Sequence, residues 1–182
     1  MGSPIIGLKA FNNWVKSVLI TRFAHPTLQK STHASQGNKR GKILDMGCGK
    51  GGDISKWSKS RAAEVFFVGK YYQYLLYPNL TYPFSTDIAS ISVDQARARW
   101  EAMKGSRFDA SFAAIDCYNE PIRKAFPPHK LLIPFDVVSM QFCMHYAFET
   151  VQKVRCMLDN VTTCLRPGGV FIGTIPNSEV LM

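Results

Sequence analysis

The 182-residue sequence lacks a long apolar run, a paired-cysteine motif and, before Asp45, any acidic side chain. No apolar stretch approaches the roughly 20 residues that a membrane-spanning helix requires, so we expect a soluble domain with no membrane association. The five cysteines form no CxxC pair, and their odd number is typical of reduced thiols in a cytosolic or nuclear compartment. We therefore expect no disulfide framework and no structural metal.

Positive charge is what the sequence has in excess. Its 22 Lys and Arg residues outnumber its 13 Asp and Glu residues, which gives a formal net charge of +9. Such a surplus is typical of proteins that bind phosphate-bearing ligands or nucleic acid. The acid-poor, amphipathic start also resembles an organelle-targeting peptide, an alternative that composition alone leaves open.

Strand and helix patterns alternate along the chain. Helical spacing predicts an amphipathic helix over residues 8–23, and polar residues predict a loop over 25–41. The predicted strands are 42–46, 64–68, 110–115, 135–140 and 170–175, and the later helices start at 54, 93 and 151. Because parallel strands need crossover connections, this order predicts an α/β fold with a mostly parallel sheet, helices on both faces and a single domain.

Two of the predicted helices carry apolar stripes. Phe11, Trp14 and Val18 belong to the stripe of the first helix. The last helix carries Val151, Val154, Leu158, Val161 and Leu165 and is expected to end before Arg166-Pro167-Gly168-Gly169.

A glycine-rich loop follows the first predicted strand. Gly47, Gly49 and Gly52 match GxGxxG, which fits a nicotinamide dinucleotide site as well as a methyl-donor site. The absence of Gly-Lys-Ser or Gly-Lys-Thr excludes a P-loop. Asp45 places a carboxylate at the strand end, where it suits the cationic methionine moiety of S-adenosylmethionine better than a pyrophosphate. Asp87 is the candidate acid for hydrogen bonds from the ribose hydroxyls.

Five motifs occur in order along most of the chain. They are FNNWVKSVLI at 11–20, LDMGCGKGGD at 44–53, TDIA at 86–89, QFCMHY at 141–146 and PNS at 176–178. Together they resemble the successive motifs of eukaryotic mRNA cap guanine-N7 methyltransferases. The first and fourth motifs are the most specific, and they argue against a targeting peptide because the first helix then belongs to the site.

The resemblance implies a Rossmann-like class I methyltransferase that binds S-adenosylmethionine and methylates N7 of the guanosine cap. With Asp45 and Gly49 included from the strand-and-loop argument, the expected cofactor-binding residues are Lys16, Asp45, Gly47, Gly49, Asp87, Asp116, Gln141 and Tyr146. The expected cap-binding residues are Asn12, Asn13, Lys50, Lys56, Arg99 and His145.

No general acid or base is expected, because guanine N7 has an exposed lone pair and rate should come from in-line positioning. His145 and Tyr146 are the expected positioning residues. Each assignment competes with an ordinary structural role: Lys56 and Arg99 as helix-surface charges, and Asp116 as a solvated loop acid.

The resemblance also implies a 5′-capped RNA as partner, contacts with other capping-machinery proteins, and a nuclear location. Two other classes of function stay open at this point. One is a nicotinamide-dependent oxidoreductase, and the other is a non-catalytic fragment that binds RNA or a partner protein.

Two features depart from the family pattern. Residues 70–85 interrupt the second strand before Thr86-Asp87, and we interpret them as a translated intron or, alternatively, as a genuine surface loop. The sequence also stops at Met182, where the family continues with further strands, so the sheet is expected to lack its last strands. An uncovered sheet edge predicts marginal stability and weak turnover.

Overall fold

The computed structural model describes residues 4–31, 40–69, 88–105 and 107–177, with the backbone alone for residues 4, 5 and 88–91. The expected insertion at 70–85 lies outside the described residues. Among the described helices, none combines the length and the apolar character needed to cross a membrane.

Five parallel strands form the central sheet of the described residues. The strands are β1 (Lys42–Met46), β2 (Glu64–Gly69), β3 (Asp109–Ala114), β4 (Phe135–Gln141) and β5 (Leu165–Thr174), in the order β3-β2-β1-β4-β5. The predicted parallel α/β sheet is thereby confirmed. The strand order reverses between β1 and β4, which is where open α/β sheets bind ligands.

Helices cover both faces of this sheet. They are α1 (Pro4–Leu19), a π-helical turn (Ile20–Ala24), α2 (His25–Gln29), α3 (Ile54–Lys59), α4 (Ile88–Glu101) and α5 (Val151–Cys164). Short 3₁₀ helices lie at Ile122–Lys124, Pro128–Leu131 and Met144–Glu149. The N-terminal helices, α3 and α4 pack on one face of the sheet, and α5 packs on the other.

The predicted loop over 25–41 is wrong in its first part, because the chain stays helical through Gln29. Pro26 does not stop this helix, since it lies in the first turn of α2, where no intrahelical N–H bond is lost. A π-helical turn, which adds a residue to the helical repeat, joins α1 to α2.

The apolar stripe of the first helix is divided along its length. Phe11 and Trp14 remain 58% and 62% exposed, whereas Ile20 and Leu28 are each 1% exposed against the sheet. The second half of the helical segment therefore anchors it, and α1 extends from that anchor toward the carboxyl ends of the strands.

The stripe predicted for the last helix is rotated in the structure. Val151 and Leu158 are 63% and 44% exposed, whereas Val161 is buried as predicted, and Met157 and Asn160, which lie outside the stripe, are buried as well. Asn160 was not predicted to be buried because its side chain is polar. Its amide accepts from Ile122 N at 2.8 Å and donates to two carbonyl oxygens at 2.9 Å, which satisfies it inside the protein.

The last strand begins five residues earlier than predicted. Arg166-Pro167-Gly168-Gly169 lies within β5, where a register shift opposite Phe135 and Val137 accommodates it. A bulge of this kind tolerates proline and glycine in a strand, and β5 forms one edge of the sheet of described residues.

Candidate functional site

The glycine turn follows β1 at the point where the strand order reverses. Gly47 has φ +76°, and a Cβ there would lie 2.4 Å from Cys143 Sγ. Gly51 also has φ +76°, and its Cβ would meet Ile54 and the backbone of Ala96 at 2.5 and 3.0 Å. Both positions therefore require glycine, and the close contact with α4 is made by Gly51, which is not one of the three GxGxxG glycines.

An ionic cluster ties α1 to the glycine turn. Asp53 Oδ1 lies 2.8 Å from Lys16 Nζ and 2.9 Å from Lys56 Nζ, and the three side chains are only 9 to 14% exposed. Lys56 also donates to Asn13 Oδ1 at 3.2 Å and to Gly52 O at 3.3 Å. Three residues expected to bind ligand, Asn13, Lys16 and Lys56, are thus brought together by a carboxylate that was not predicted as a site residue.

Asp45 lies beneath this cluster and is 3% exposed. Its Oδ2 accepts a hydrogen bond from Trp57 Nε1 at 2.9 Å. Burial, followed by the negative charge of Asp53, raises the pKa of Asp45 from 3.8 to about 7, although Trp57, Lys16 and Lys56 oppose the shift. The carboxylate predicted to face the donor therefore has a partner inside the protein, and its contact with a methionine moiety stays a prediction.

A second group of polar residues lies at the end of β4. Gln141 is 9% exposed, donates to Ser139 Oγ at 3.1 Å and accepts from Thr174 Oγ1 at 3.2 Å. Phe142, which follows, has φ +56°, a conformation that costs a non-glycine residue about 1 to 3 kcal/mol. Its N–H is held by Thr174 O and Oγ1 at 3.0 and 2.9 Å, and this bend turns the chain into the 3₁₀ helix that carries His145.

His145 and Tyr146 lie together just beyond this bend. Their ring centroids are 4.1 Å apart, and Tyr146 is 49% exposed. The Nδ1 atom of His145 is buried, and no described residue offers it a hydrogen-bond partner. An unsatisfied buried nitrogen is costly in a folded protein and is typical of a group that a ligand completes.

Cys143 holds this segment against the glycine turn. Its thiol donates to Met46 O at 3.2 Å, and its own carbonyl accepts from Tyr118 Oη at 2.8 Å. Burial raises the pKa of Cys143 to about 12, so the thiol stays protonated and acts as a packing group. The ends of β1 and β4 therefore form one unit.

No hydrogen bond or ion pair among the described residues links Asn12, Lys50 or Arg99 to the ionic cluster. Asn12 is half-buried on α1, whereas Lys50 on the glycine turn and Arg99 on α4 are exposed. Asp116 binds within its own loop, where its oxygens accept from Tyr118 N at 3.0 Å and Asn119 Nδ2 at 2.9 Å. The ligand roles of these four residues stay predictions.

Asp87, the expected ribose acid, lies outside the described residues. Its position relative to the glycine turn is not part of the structural description, so its role also stays a prediction. Among the residues that the structure describes, no group of His, Cys, Asp and Glu side chains is arranged to hold a metal ion.

Asp53, Trp57 and Cys143 are the site residues that sequence reasoning missed. Asp53 and Cys143 lie inside two of the five quoted motifs. Their roles depend on partners that are distant in sequence, because Asp53 contacts Lys16 on α1 and Cys143 packs against Gly47. Trp57 lies one residue after Lys56, in the helix predicted to start at residue 54. A signal was present in all three, because each lies within three residues of a predicted ligand-binding residue.

The strand order, the glycine turn after β1 and the helices on both faces define a Rossmann-like fold of the class I methyltransferase type. The structure is similar to CalS10, an amino pentose methyltransferase from Micromonospora echinaspora, with a TM-score of 0.52, 17% identity and coverage of 96% of this chain and 57% of that one. An S-adenosylmethionine-dependent methyltransferase from Clostridium acetobutylicum gives a TM-score of 0.50 at 18% identity, covering 74% of this chain and 42% of that one.

The chain belongs to the mRNA (guanine-N(7))-methyltransferase domain family, whose model matches residues 1–71 and 77–182. This is an enzyme family that uses S-adenosylmethionine as methyl donor. The predicted resemblance is thereby confirmed.

Three relatives are named mRNA cap guanine-N(7) methyltransferase. The proteins from Schizosaccharomyces pombe and Cryptococcus neoformans are 49% and 46% identical over 99% of this chain, which covers 42% and 24% of their lengths. Enzyme 1 of Arabidopsis thaliana is 36% identical over 99% of this chain, which covers 41% of its length. The chain thus spans less than half the length of these relatives.

Proposed function

We propose that this chain forms the donor-binding part of an enzyme that transfers a methyl group from S-adenosylmethionine to N7 of the guanosine cap of mRNA. The observation that carries the proposal is the ionic cluster of Lys16, Asp53 and Lys56. It holds the helix that carries Asn12 and Asn13 directly over the glycine turn. The proposed reaction rests on family membership, and the proposed placement of α1 over the glycine turn rests on the ionic cluster.

The residues fit a sulfonium nucleoside at the glycine turn. When bound, S-adenosylmethionine supplies an activated methyl group. A Cβ at Gly49 would have open space within 4 Å, so the backbone leaves room for a ligand there. Asp53 is paired with Lys16 and Lys56, so Asp45 is the buried acid whose ionised form would favour a cation over a pyrophosphate at this turn.

The protein's proposed contribution to the reaction is to orient the guanine base relative to the methyl donor. Guanine N7 needs no deprotonation, so His145, with its unpartnered Nδ1, and Tyr146 position the base rather than move a proton. Lys50, beside the turn, is suited to the triphosphate bridge of the cap. Positioning of this kind is sufficient because bringing two reactants into line lowers the barrier substantially.

Titration calorimetry with S-adenosylhomocysteine and with NAD tests the donor assignment. We expect S-adenosylhomocysteine to bind and NAD not to bind, since the relatives are named as cap methyltransferases. Binding of NAD alone would favour the oxidoreductase and contradict the proposal.

Transfer of labelled methyl groups to a short capped RNA tests the reaction. His145→Ala should weaken cap binding and transfer, whereas His129→Ala, an exposed histidine in the 3₁₀ helix Pro128–Leu131, should change neither. Cap binding without any transfer by the unmodified chain would instead favour the non-catalytic fragment.

We also propose a nuclear site of action and contacts with other capping proteins, a proposal that rests on membership of the mRNA (guanine-N(7))-methyltransferase family. For residues 70–85 the family match supports a local departure, because the matched ranges are interrupted at 72–76. Sequencing the transcript across codons 65–90 decides between a retained intron and a surface loop. A mature message that contains the full segment would contradict the intron.

A further inference from the structure

An open cavity of about 380 Å³ lies at the end of α3 that is farther from the glycine turn. α2 contributes His25, Leu28 and Gln29 to its lining. Lys59 at the end of α3, Arg61 just beyond it and Arg40 before β1 also line the cavity. The glycine turn, His145 and the ionic cluster contribute no residue to this lining, so the cavity is separate from the candidate methyl-donor site.

Three permanent cations and no carboxylate line this cavity. Arg40, Lys59 and Arg61 are exposed, and no ion pair joins any of them to an acidic residue in the described ranges 4–31, 40–69, 88–105 and 107–177. The undescribed residues that precede Arg40 cannot supply a carboxylate either, because the sequence has no acid before Asp45. As far as the described part of the chain goes, the cavity therefore combines a concave shape with uncompensated positive charge, which favours a polyanionic ligand.

The backbone fixes these cations relative to one another. Arg40 N donates to Arg61 O at 3.1 Å, and one Arg40 guanidinium nitrogen lies 3.4 Å from Gln29 O. Arg61 has φ +58° directly after α3, at a position where helices usually end in glycine. An arginine in this conformation costs free energy that a glycine would not. The positive charge that Arg61 adds to the cavity lining is a physical reason for an arginine at this position.

We propose that this cavity is a phosphate-binding site for the RNA chain beyond the cap, which extends the proposed function to the body of the transcript. Lys59 and Arg61 follow Lys56, at the candidate cap site, by three and five residues, which is a rise of roughly 5 to 8 Å along the helix axis. A few nucleotides of extended RNA span that distance. Arginine is suited to such contacts because its guanidinium binds phosphate in two places at once.

The binding of an uncapped, fluorescently labelled RNA of about fifteen nucleotides tests the site, since this probe has phosphates but no cap. The triple variant Arg40→Gln, Lys59→Gln, Arg61→Gln should bind it roughly tenfold to a hundredfold more weakly. The slope of log affinity against log salt concentration should fall by about 2, as expected for three lost contacts to single-stranded phosphates.

A matched triple variant, Lys104→Gln, Arg123→Gln, Arg155→Gln, removes the same charges from exposed positions elsewhere and should retain RNA affinity and slope. Both variants should bind S-adenosylhomocysteine like the unmodified chain. Arg61→Gly alone should weaken RNA binding without lowering the melting temperature, because glycine adopts φ +58° freely.

The proposal would be overturned if the cavity variant kept full RNA affinity, or if it lost no more RNA affinity than the matched variant. So would loss of poly-glutamate binding with RNA binding unchanged, which would indicate a site for an acidic protein. If RNA binding depends on the cavity while the unmodified chain binds no S-adenosylhomocysteine, the phosphate site stands and the proposed methyl-donor function fails.

Discussion

Asp53→Asn tests whether the ionic cluster holds α1 on the glycine turn. The carboxylate lies within 2.9 Å of both lysine nitrogens, and the three side chains are at most 14% exposed. The substitution leaves two mostly buried ammonium groups facing each other without the shared acid. Breaking a buried ion pair by removing one partner costs roughly 3 to 5 kcal/mol. We expect about 3 kcal/mol, the low end of that range, because Asp45 remains nearby as a second acid.

Urea denaturation followed by circular dichroism measures this change as a lower midpoint with an unchanged slope. Asp94→Asn, an exposed acid on α4, is the matched control and should change the free energy of unfolding by less than about 0.5 kcal/mol. In a double-mutant cycle, Lys16→Met should lose most of its own effect once Asp53 is replaced. If Asp53→Asn costs no more than the control, the cluster does not hold the helix and the proposed arrangement of the site is wrong.

Three further predictions follow from buried groups. Folding raises the pKa of Asp45 from 3.8 to about 7, so between these pH values the folded state binds a proton that the unfolded state has lost. The free energy of unfolding should therefore fall as the pH rises from about 4 to 7. Urea melts at several pH values should show a smaller fall for Asp45→Asn, and this variant should be more stable than the unmodified chain at pH 8. Gly47→Ala should destabilise by about 1 to 3 kcal/mol more than Gly49→Ala, since both have positive φ but only the first meets Cys143; equal melting temperatures would contradict the contact. Asn160→Ala should cost about 3 kcal/mol in chemical denaturation because it strands three backbone groups, and a loss under 1 kcal/mol would show that water replaces the amide.

The parallel sheet could be predicted from sequence because every strand in it has local signals. β1, β2 and β4 are buried apolar runs, and the glycine turn follows directly after the first of them. Their order in the chain with intervening helices leaves few topologies, so their bounds came within one or two residues of the structure.

The orientation of the helices could not be predicted in the same way. Helical spacing gives a stripe but not the element that covers it, so Phe11 and Trp14 were placed on an apolar face that proves to be exposed. In α5 the buried face includes Asn160, which hydropathy assigns to solvent and which backbone partners from another segment satisfy. The helix after Pro26 was missed because proline is tolerated in a first turn.

The candidate site was likewise predicted only in part. Lys16, Lys56 and Asn13 were identified through the family resemblance, and the structure brings them together. The shared acid Asp53 was missed because its two partners lie 37 and 3 residues away, and only the fold shows that both contacts converge.

The hydrogen bond between Trp57 and Asp45 also gives the protein an internal optical reporter. Trp57 is fully buried beneath the candidate donor site, whereas Trp14 is 62% exposed and Trp100 is half-buried against β3. Replacing Trp14 and Trp100 by phenylalanine leaves one indole whose N–H contacts a carboxylate that changes its ionisation near neutral pH. We expect its emission to change when Asp45 is protonated, which would report the charge beneath the proposed methyl-donor site.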